Sequence, residues 1–145
     1  MKFLFNKVSI SSDHAGFKLK EKIKQNLKRK KITVIDLGPK TDSSVDYPDF
    51  AKKVAKNVAS KKSNIGILVC GSGTGMAMSA NKFKKIRAAV CYNKESTRLS
   101  RQHNNANIMT LGARLTKKSE AKYLVNVFLS TKFEGGRHLR RVKKV

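Results

Sequence analysis

A cysteine followed by a glycine loop is the stretch of this sequence best suited to chemistry. Cys70 comes directly after the apolar run 65–69, and glycines follow at positions 71, 73 and 75. The residues after the loop are good helix formers, so the loop joins a buried strand to the start of a helix. The N–H groups at a helix start suit an anion or a thiolate. Cys70 is therefore a candidate base or nucleophile, although an isolated cysteine that closes a strand is more often a small core residue.

The glycine loop does not match the common nucleotide-binding or hydrolase motifs. A dinucleotide-binding fingerprint requires a glycine where Met76 stands, and a P-loop requires a Gly-Lys-Ser/Thr ending that is missing here. A hydrolase nucleophile elbow requires a glycine two residues before the serine, but Cys70 stands two residues before Ser72. The loop therefore predicts a binding site for an anion or a polarised oxygen, and this site differs from those three known motifs.

Further polar side chains lie near the ends of other predicted strands. They are Asp13 and His14 after the first strand, Asp46 and Tyr47 after the second, His103 and Asn104 between the fourth and fifth, and Arg114 after the fifth. Because the carboxyl ends of parallel strands share one edge of an open sheet, we expect these side chains to meet near Cys70. Alone, His14 could cap a helix, His103 could be a solvated helix end, and Arg114 could form a surface salt bridge. All three histidines are predicted at loop positions.

Together these groups suit the removal of a proton from a carbon next to a carbonyl group. A Cys70 thiolate could take the proton, and the N–H groups of loop 71–75 could hold the enediolate oxygen. Ser72 could orient the thiol or relay a proton. Asp13 and His103 could move protons between sugar hydroxyl groups.

The carboxyl-terminal stretch 134–142 is too polar and too rich in glycine to be a core element. It contains Arg137 and Arg141, which are four residues apart. Guanidinium groups match the oxygens of a phosphate, so these two arginines are candidates for a phosphate clamp.

The elements that must position these groups alternate along the chain. Strands are predicted over 7–11, 32–37, 65–69, 86–91 and 108–111. Helices are predicted over 17–30, 48–60, from 76, over 95–104, and from Thr116, which we expect to cap the last helix. Pro48 suits a first helical turn, and Cys91 is expected in the core. Five strands alternating with five helices predict an α/β fold with a five-stranded parallel sheet and helices on both faces.

The composition indicates one folded domain over residues 1–145. The chain has 39% hydrophobic residues and only two prolines, which favours a real core. Two cysteines and no signal-peptide pattern favour a reducing, cytoplasmic location. No apolar run approaches the length of a membrane span. Metal-binding cysteine pairs are missing, so no metal site is predicted.

The formal net charge of +24 is extreme for a domain of this size. The lysines recur in nearly every predicted helix, which is typical of a solvated shell rather than one binding stripe. No familiar nucleic-acid-binding module is found, and there is no tryptophan. Weak, nonspecific nucleic-acid binding is expected at low salt. A basic nucleic-acid-binding protein remains a distant alternative.

Six segments, in order along nearly the whole chain, resemble the ribose-5-phosphate isomerase B family, which also includes the galactose-6-phosphate isomerase subunits. The segments are 12–16, 46–48, 70–75, 80–82, 100–104 and 135–138, the last of which is followed by a match at 141–142. The resemblance implies a Rossmann-like three-layer α/β/α sandwich and an aldose–ketose isomerase without metal or other cofactor. Such enzymes interconvert ribose 5-phosphate and ribulose 5-phosphate through a cis-enediol, in the non-oxidative pentose phosphate pathway. A six-carbon phosphosugar, such as galactose or allose 6-phosphate, is the alternative substrate.

The same resemblance assigns the catalytic roles. Cys70 matches the base that moves a proton between C1 and C2, and Ser72 matches the hydroxyl residue beside it. His103 matches the residue that opens the furanose ring, with Asp13 as its proton partner. One branch of the family uses a glutamate where Met76 stands, so this sequence falls in the cysteine-using branch.

The resemblance also assigns the binding positions and the assembly. The loop residues that match the anion hole are Gly71, Gly73, Thr74 and Gly75. The residues that match the phosphate site are His14, Arg137 and Arg141, with Arg114 as a further contact, and Asn104 matches a sugar-hydroxyl contact. Family members form homodimers, or dimers of dimers, with active sites shared between subunits. We therefore expect the tail, about 130–145, to reach a partner subunit.

Overall fold

The apolar runs predicted as strands form one parallel sheet. In the computed structural model, which describes residues 1–145, the strands are β1 (Lys7–Ser12), β2 (Thr33–Asp36), β3 (Ile65–Cys70), β4 (Ala88–Val90) and β5 (Ile108–Gly112). They lie in the order β2-β1-β3-β5-β4, and every neighbouring pair is parallel. All six residues of the central strand β3 are buried. The predicted five-stranded parallel sheet is confirmed.

The predicted helices connect these strands, and one further helix lies in the tail. The helices are α1 (Phe17–Arg29), α2 (Tyr47–Ala59), α3 (Thr74–Ala80), α4 (Lys94–Gln102), α5 (Lys118–Ser130) and α6 (Arg137–Val142). Helix α6 was not predicted, because its sequence has no apolar face, and none of its residues is buried. No helix of the chain is both long enough and apolar enough to cross a membrane.

Alternation of side chains along β3 divides the core into two layers. Ile65, Ile67 and Val69 pack in the cluster to which α1 and α5 contribute. Leu68 and Cys70 point to the opposite face and pack in the cluster to which α2 and α3 contribute. The sheet is therefore covered on both sides, which confirms the three-layer α/β/α sandwich. Cys70 belongs to the α2–α3 side.

Two details of the predicted elements are wrong. The fourth strand covers only Ala88–Val90, because it is an edge strand that pairs with β5 alone. Thr116 does not cap α5, since the N-cap is Lys117 and no side chain caps the helix. Pro48 does lie in the first turn of α2, and Cys91 is buried in the core, as expected.

Candidate active site

Cys70 is the last residue of β3, and the glycine loop folds over its sulfur. The buried Sγ accepts a hydrogen bond from the N–H group of Gly73 at 3.2 Å. Gly73 has a φ of 81°, which a glycine adopts without strain. Its carbonyl oxygen accepts a hydrogen bond of 2.7 Å from the buried hydroxyl group of Thr110 on β5. These contacts fix the sulfur at the carboxyl edge of the sheet.

The glycine loop presents backbone donors that are free to bind a ligand. The N–H groups of Ser72 and Gly75 donate no hydrogen bond inside the chain. The N–H group of Thr74 donates to Oγ of Ser72 at 3.3 Å. Preorganised N–H groups of this kind stabilise negative charge that develops on an oxygen. The loop is therefore suited to holding an oxyanion beside Cys70.

Two long side chains lie directly over the glycine loop. A Cβ atom at Gly71 would stand 2.8 Å from Nη1 of Arg114, and one at Gly75 would stand 2.7 Å from the ring of Tyr47. Larger residues at these two positions would push the cation and the ring away. Arg114 is held just after β5, where its N–H group donates to the carbonyl oxygen of Gly71 at 3.1 Å. The sequence predicted a loop position for Tyr47, which is wrong because Tyr47 is the first residue of α2. No role was predicted for it, and the motif 46–48 was the only signal.

Asp13 completes a pocket with Cys70 because β1 and β3 are neighbours in the sheet. Its buried carboxylate accepts a hydrogen bond of 2.9 Å from the N–H group of Gly16. We call this cavity of about 300 Å³ the cysteine pocket; it is lined by Asp13, Tyr47, Cys70, Gly71, Ser72, Gly75, Arg114 and Leu115. The structure thus brings together Asp13, Cys70, Ser72 and Arg114, as expected from the ends of their strands.

His14 follows Asp13 but is held by a different segment. Its Nδ1 accepts a hydrogen bond of 3.2 Å from the N–H group of Val45, in the loop before α2. The imidazole is half-buried. It does not cap α1, whose N-cap is Gly16. His14 is therefore near the cysteine pocket without being one of its lining residues.

His103 and Asn104 do not join the cysteine pocket, so the expectation that they share its edge is wrong within one chain. Both residues follow α4, which leaves the carboxyl end of β4 and returns to the amino end of β5. A crossover between parallel strands has to carry the chain back to the opposite edge of the sheet. The N–H group of Arg87, just before β4, donates to Oδ1 of Asn107 at 2.8 Å, which marks this as the amino edge.

A second cavity, of about 540 Å³, surrounds His103. We call it the histidine pocket; it is lined by Asn81, Ile86, Arg87, Ala88, Ala89, His103, Asn104, Ala106, His138, Arg141, Val142 and Val145. One candidate for the phosphate clamp, Arg141, therefore lies with His103 rather than with Cys70. The other candidate, Arg137, is exposed at the start of α6 and makes no ion pair within the chain. The predicted site residues thus fall into two groups.

The tail holds His103 through a pair of stacked imidazoles. The rings of His103 and His138 lie 4.2 Å apart at an interplanar angle of 9°. Oε2 of Glu134 lies 3.5 Å from Nε2 of His138 and 4.0 Å from Nε2 of His103. Burial, together with the neighbouring His103 and Arg137, lowers the pKa of His138. His138 lies in α6, so the expectation that all three histidines occupy loops is wrong for it.

Arg101 anchors the end of α4 that carries His103. Its buried guanidinium group lies over the ring of Phe128, 5.6 Å from the centroid. It donates hydrogen bonds to the carbonyl oxygens of Ala106 and Thr131. Arg101 thereby ties the turn after α4 to the start of the tail.

Three residues of this region were not identified as site residues from the sequence: Arg101, Glu134 and His138. A charge pattern does not reveal which polar groups become buried, and the tail offered no apolar face from which its packing could be predicted. The one available signal was the position of Arg101 and His138 inside the segments 100–104 and 135–138.

The known proteins that this chain resembles in sequence and structure are described as isomerases of sugars or sugar phosphates. A family model described as Ribose/Galactose Isomerase matches residues 8–145. Ribose-5-phosphate isomerase B of Escherichia coli is 42% identical over 139 residues, which are 96% of this chain and 93% of that protein. The crystal structure of a ribose 5-phosphate isomerase from Thermotoga maritima has a TM-score of 0.94 and 51% identity, and the match covers 95% of each chain. A crystal structure of ribose-5-phosphate isomerase B from Mycoplasma genitalium, with bound ribulose 5-phosphate, has a TM-score of 0.91 and 45% identity over 95% of this chain and 92% of that one.

Proposed function

The chain belongs to the ribose/galactose isomerase family, and we propose that it interconverts ribose 5-phosphate and ribulose 5-phosphate. The observation that carries the proposal is the cysteine pocket, where Cys70 lies under free N–H donors and beside the Arg114 cation. A relative that is 45% identical contains bound ribulose 5-phosphate in its structure. A five-carbon phosphosugar is therefore favoured over a six-carbon one.

Cys70 acts as the base in the proposed reaction. Its thiolate removes the proton from C2 of the open-chain aldose, which leaves a cis-enediolate. The same group returns a proton to C1, while a proton moves from the oxygen on C2 to the oxygen on C1, so the aldose becomes the ketose. A positioned acid–base group of this kind contributes about 10²- to 10⁴-fold to the rate. Ser72 lines the same pocket, and it is the proposed relay for the proton between the oxygens.

The glycine loop stabilises the enediolate. The N–H groups of Ser72 and Gly75 are free to donate to the oxygen that gains negative charge. Arg114 adds a permanent positive charge above Gly71. Because backbone donors and a guanidinium group carry the charge, the proposed step uses no metal ion or other cofactor. Gly73 and Thr74, which the resemblance assigns to the same anion hole, donate their N–H groups to Sγ of Cys70 and Oγ of Ser72 in the free chain, so their proposed contribution is to shape the loop around the substrate.

Ring opening and phosphate binding draw on the histidine pocket. His103 and Asp13 are the proposed pair that transfers protons during opening of the furanose ring, and Asn104 binds a sugar hydroxyl group. Arg137 and Arg141, with His14, bind the phosphate. Asp13 lines the cysteine pocket, whereas His103, Asn104 and Arg141 line the histidine pocket of the same chain. We therefore infer that each active site combines the cysteine pocket of one chain with the histidine pocket of another.

Exposed apolar residues support this assembly. Leu115 lines the cysteine pocket, and Met78 lies on α3 near the same loop; both side chains are exposed. Exposed apolar surface beside a polar pocket is typical of a protein interface. The proposed homodimer, or dimer of dimers, would cover these residues and bring in the tail of the partner.

The proposal is tested by assaying the purified protein with ribose 5-phosphate, galactose 6-phosphate and allose 6-phosphate, each in the presence of EDTA. We expect turnover of ribose 5-phosphate that EDTA does not reduce. Turnover of a six-carbon substrate alone would assign the chain to the other substrate class of its family. A folded protein that converts none of the three would contradict the proposed activity.

A further inference from the structure

Three side chains of the histidine pocket and the tail form a cluster of metal-ligating atoms. One imidazole nitrogen from each of His103 and His138 and one carboxylate oxygen of Glu134 all lie within 4.8 Å of one another. The carboxylate oxygen is 3.5 Å from one imidazole nitrogen and 4.0 Å from the other. In a tetrahedral zinc site, where ligands lie about 2.0–2.2 Å from the ion, neighbouring donor atoms are about 3.3–3.6 Å apart. The distance between Glu134 and His138 already lies in this range, and a movement of His103 would bring the third donor atom into it.

We propose that His103, Glu134 and His138 bind a divalent transition-metal ion of the zinc class, and that the bound ion inhibits the enzyme by withdrawing His103 from the sugar. Two imidazoles and one carboxylate leave a fourth position open, and this set of ligands suits zinc rather than magnesium or calcium. The inhibition, unlike the binding, rests on the proposed function, because it requires His103 to act on the substrate.

The stacked rings have to separate when the ion binds. A coordinated ion lies in the plane of each imidazole, but the two ring planes are nearly parallel, at 9°. His103 is the ring with freedom to turn, since its side chain is 39% exposed whereas that of His138 is 12% exposed. Rotation of His103 toward Glu134 would bring both nitrogens onto one ion. The stacked pair is therefore the metal-free arrangement.

Glu134 is held in place by the backbone. Its N–H group donates to the carbonyl oxygen of Gln102, the last residue of α4, at 3.0 Å. This contact keeps the carboxylate beside the first residue after the helix, which is His103. Arg137 and Arg141 flank His138 on α6 and repel a cation. We therefore expect binding of the ion to strengthen as salt screens this repulsion.

The binding is tested by calorimetric titration of Zn²⁺ into the full chain carrying Cys70→Ala, so that the pocket thiol cannot compete for the ion. Visible absorption of added Co²⁺ reports the coordination geometry. We expect one ion per chain and a tetrahedral Co²⁺ spectrum. Glu134→Gln and His138→Gln, each added to Cys70→Ala, should weaken binding at least about tenfold. Glu120→Gln, which changes an exposed carboxylate on α5, is the matched control and should leave the affinity unchanged.

The inhibition is tested in proteins that retain Cys70. For each variant, turnover is measured with and without Zn²⁺, and the two rates are compared as a ratio. We expect Zn²⁺ to inhibit the wild type and the Glu120→Gln control, EDTA to reverse the effect, and Glu134→Gln to be resistant. Absence of zinc binding, or binding that Glu134→Gln and His138→Gln leave unchanged, would overturn the metal site. Binding that is lost in these variants without any inhibition of an active enzyme would overturn the inhibitory role. The binding experiment does not need turnover, so failure of the proposed isomerase activity would be recognised separately.

Discussion

Arg114 lies so close to Gly71 that a Cβ atom on the glycine would stand 2.8 Å from its Nη1. The cation can lie over the loop only because residue 71 has no side chain. We expect Gly71→Ala to displace the guanidinium group and to lower kcat/KM about 100-fold, since a misplacement of about 1 Å in a catalytic site has effects of that size. Steady-state kinetics measure the loss. An unchanged kcat/KM in the Gly71→Ala variant would mean that the position of Arg114 over the loop has no part in catalysis.

Arg137 is exposed and free of ion pairs in the single chain, as a group reserved for a ligand would be. We expect Arg137→Ala mainly to raise KM, by about tenfold, because a charge-assisted hydrogen bond to the phosphate is lost from both the ground state and the transition state. Lys143→Ala, a nearby exposed cation outside the proposed site, serves as the control. A KM that responds equally to both changes would indicate general attraction of the phosphate instead of a clamp.

The separation of Cys70 from His103 makes the assembly testable by complementation. Cys70→Ala and His103→Asn should each be inactive alone. If active sites are shared across a twofold axis, mixed dimers contain one intact site, and a random equal mixture should recover about a quarter of the wild-type activity. Turnover is measured after the two variants are unfolded and refolded together. A mixture as inactive as its components would contradict shared active sites.

Cys91 provides a prediction for stability at alkaline pH. Burial raises the pKa of its thiol from 9.0 to about 11. The folded chain therefore holds this proton over a pH range in which the unfolded chain has released it, so the free energy of unfolding should fall as the pH rises from about 9 through about 11. Urea unfolding at several pH values measures the slope. The slope should be smaller in Cys91→Ala, and equal slopes would show that the thiol is not protected from titration.

The sheet could be predicted from sequence because buried parallel strands leave a clear apolar signal. The residues of β3 are apolar and are followed at once by glycines. The positions of Asp13, Cys70 and Arg114 at one edge of the sheet could be predicted because each residue lies at or just after the carboxyl end of a strand. The edge strand β4 was predicted too long, since a mostly apolar stretch such as 86–91 does not show how many of its residues find a partner.

The position of His103 could not be obtained by the same reasoning. It follows a helix instead of a strand, and a helix in a parallel sheet ends at the opposite edge. Glu134 and His138 were missed for another reason. Two glycines with positive φ, Gly135 and Gly136, separate Glu134 from α6 and turn the chain so that His138 stacks on His103. A pair of glycines in a sequence does not show in which direction the chain turns.

The central claim, that Cys70 is the base of an isomerase, is tested most directly by turnover of ribose 5-phosphate in Cys70→Ala. The matched control is Cys91→Ala, which removes the other buried thiol but lies outside the cysteine pocket. Thermal unfolding of both variants checks that they fold. We expect a loss of about 10²- to 10⁴-fold in kcat for Cys70→Ala and near wild-type turnover for Cys91→Ala. A folded Cys70→Ala protein that retains wild-type kcat would contradict the assignment of the base.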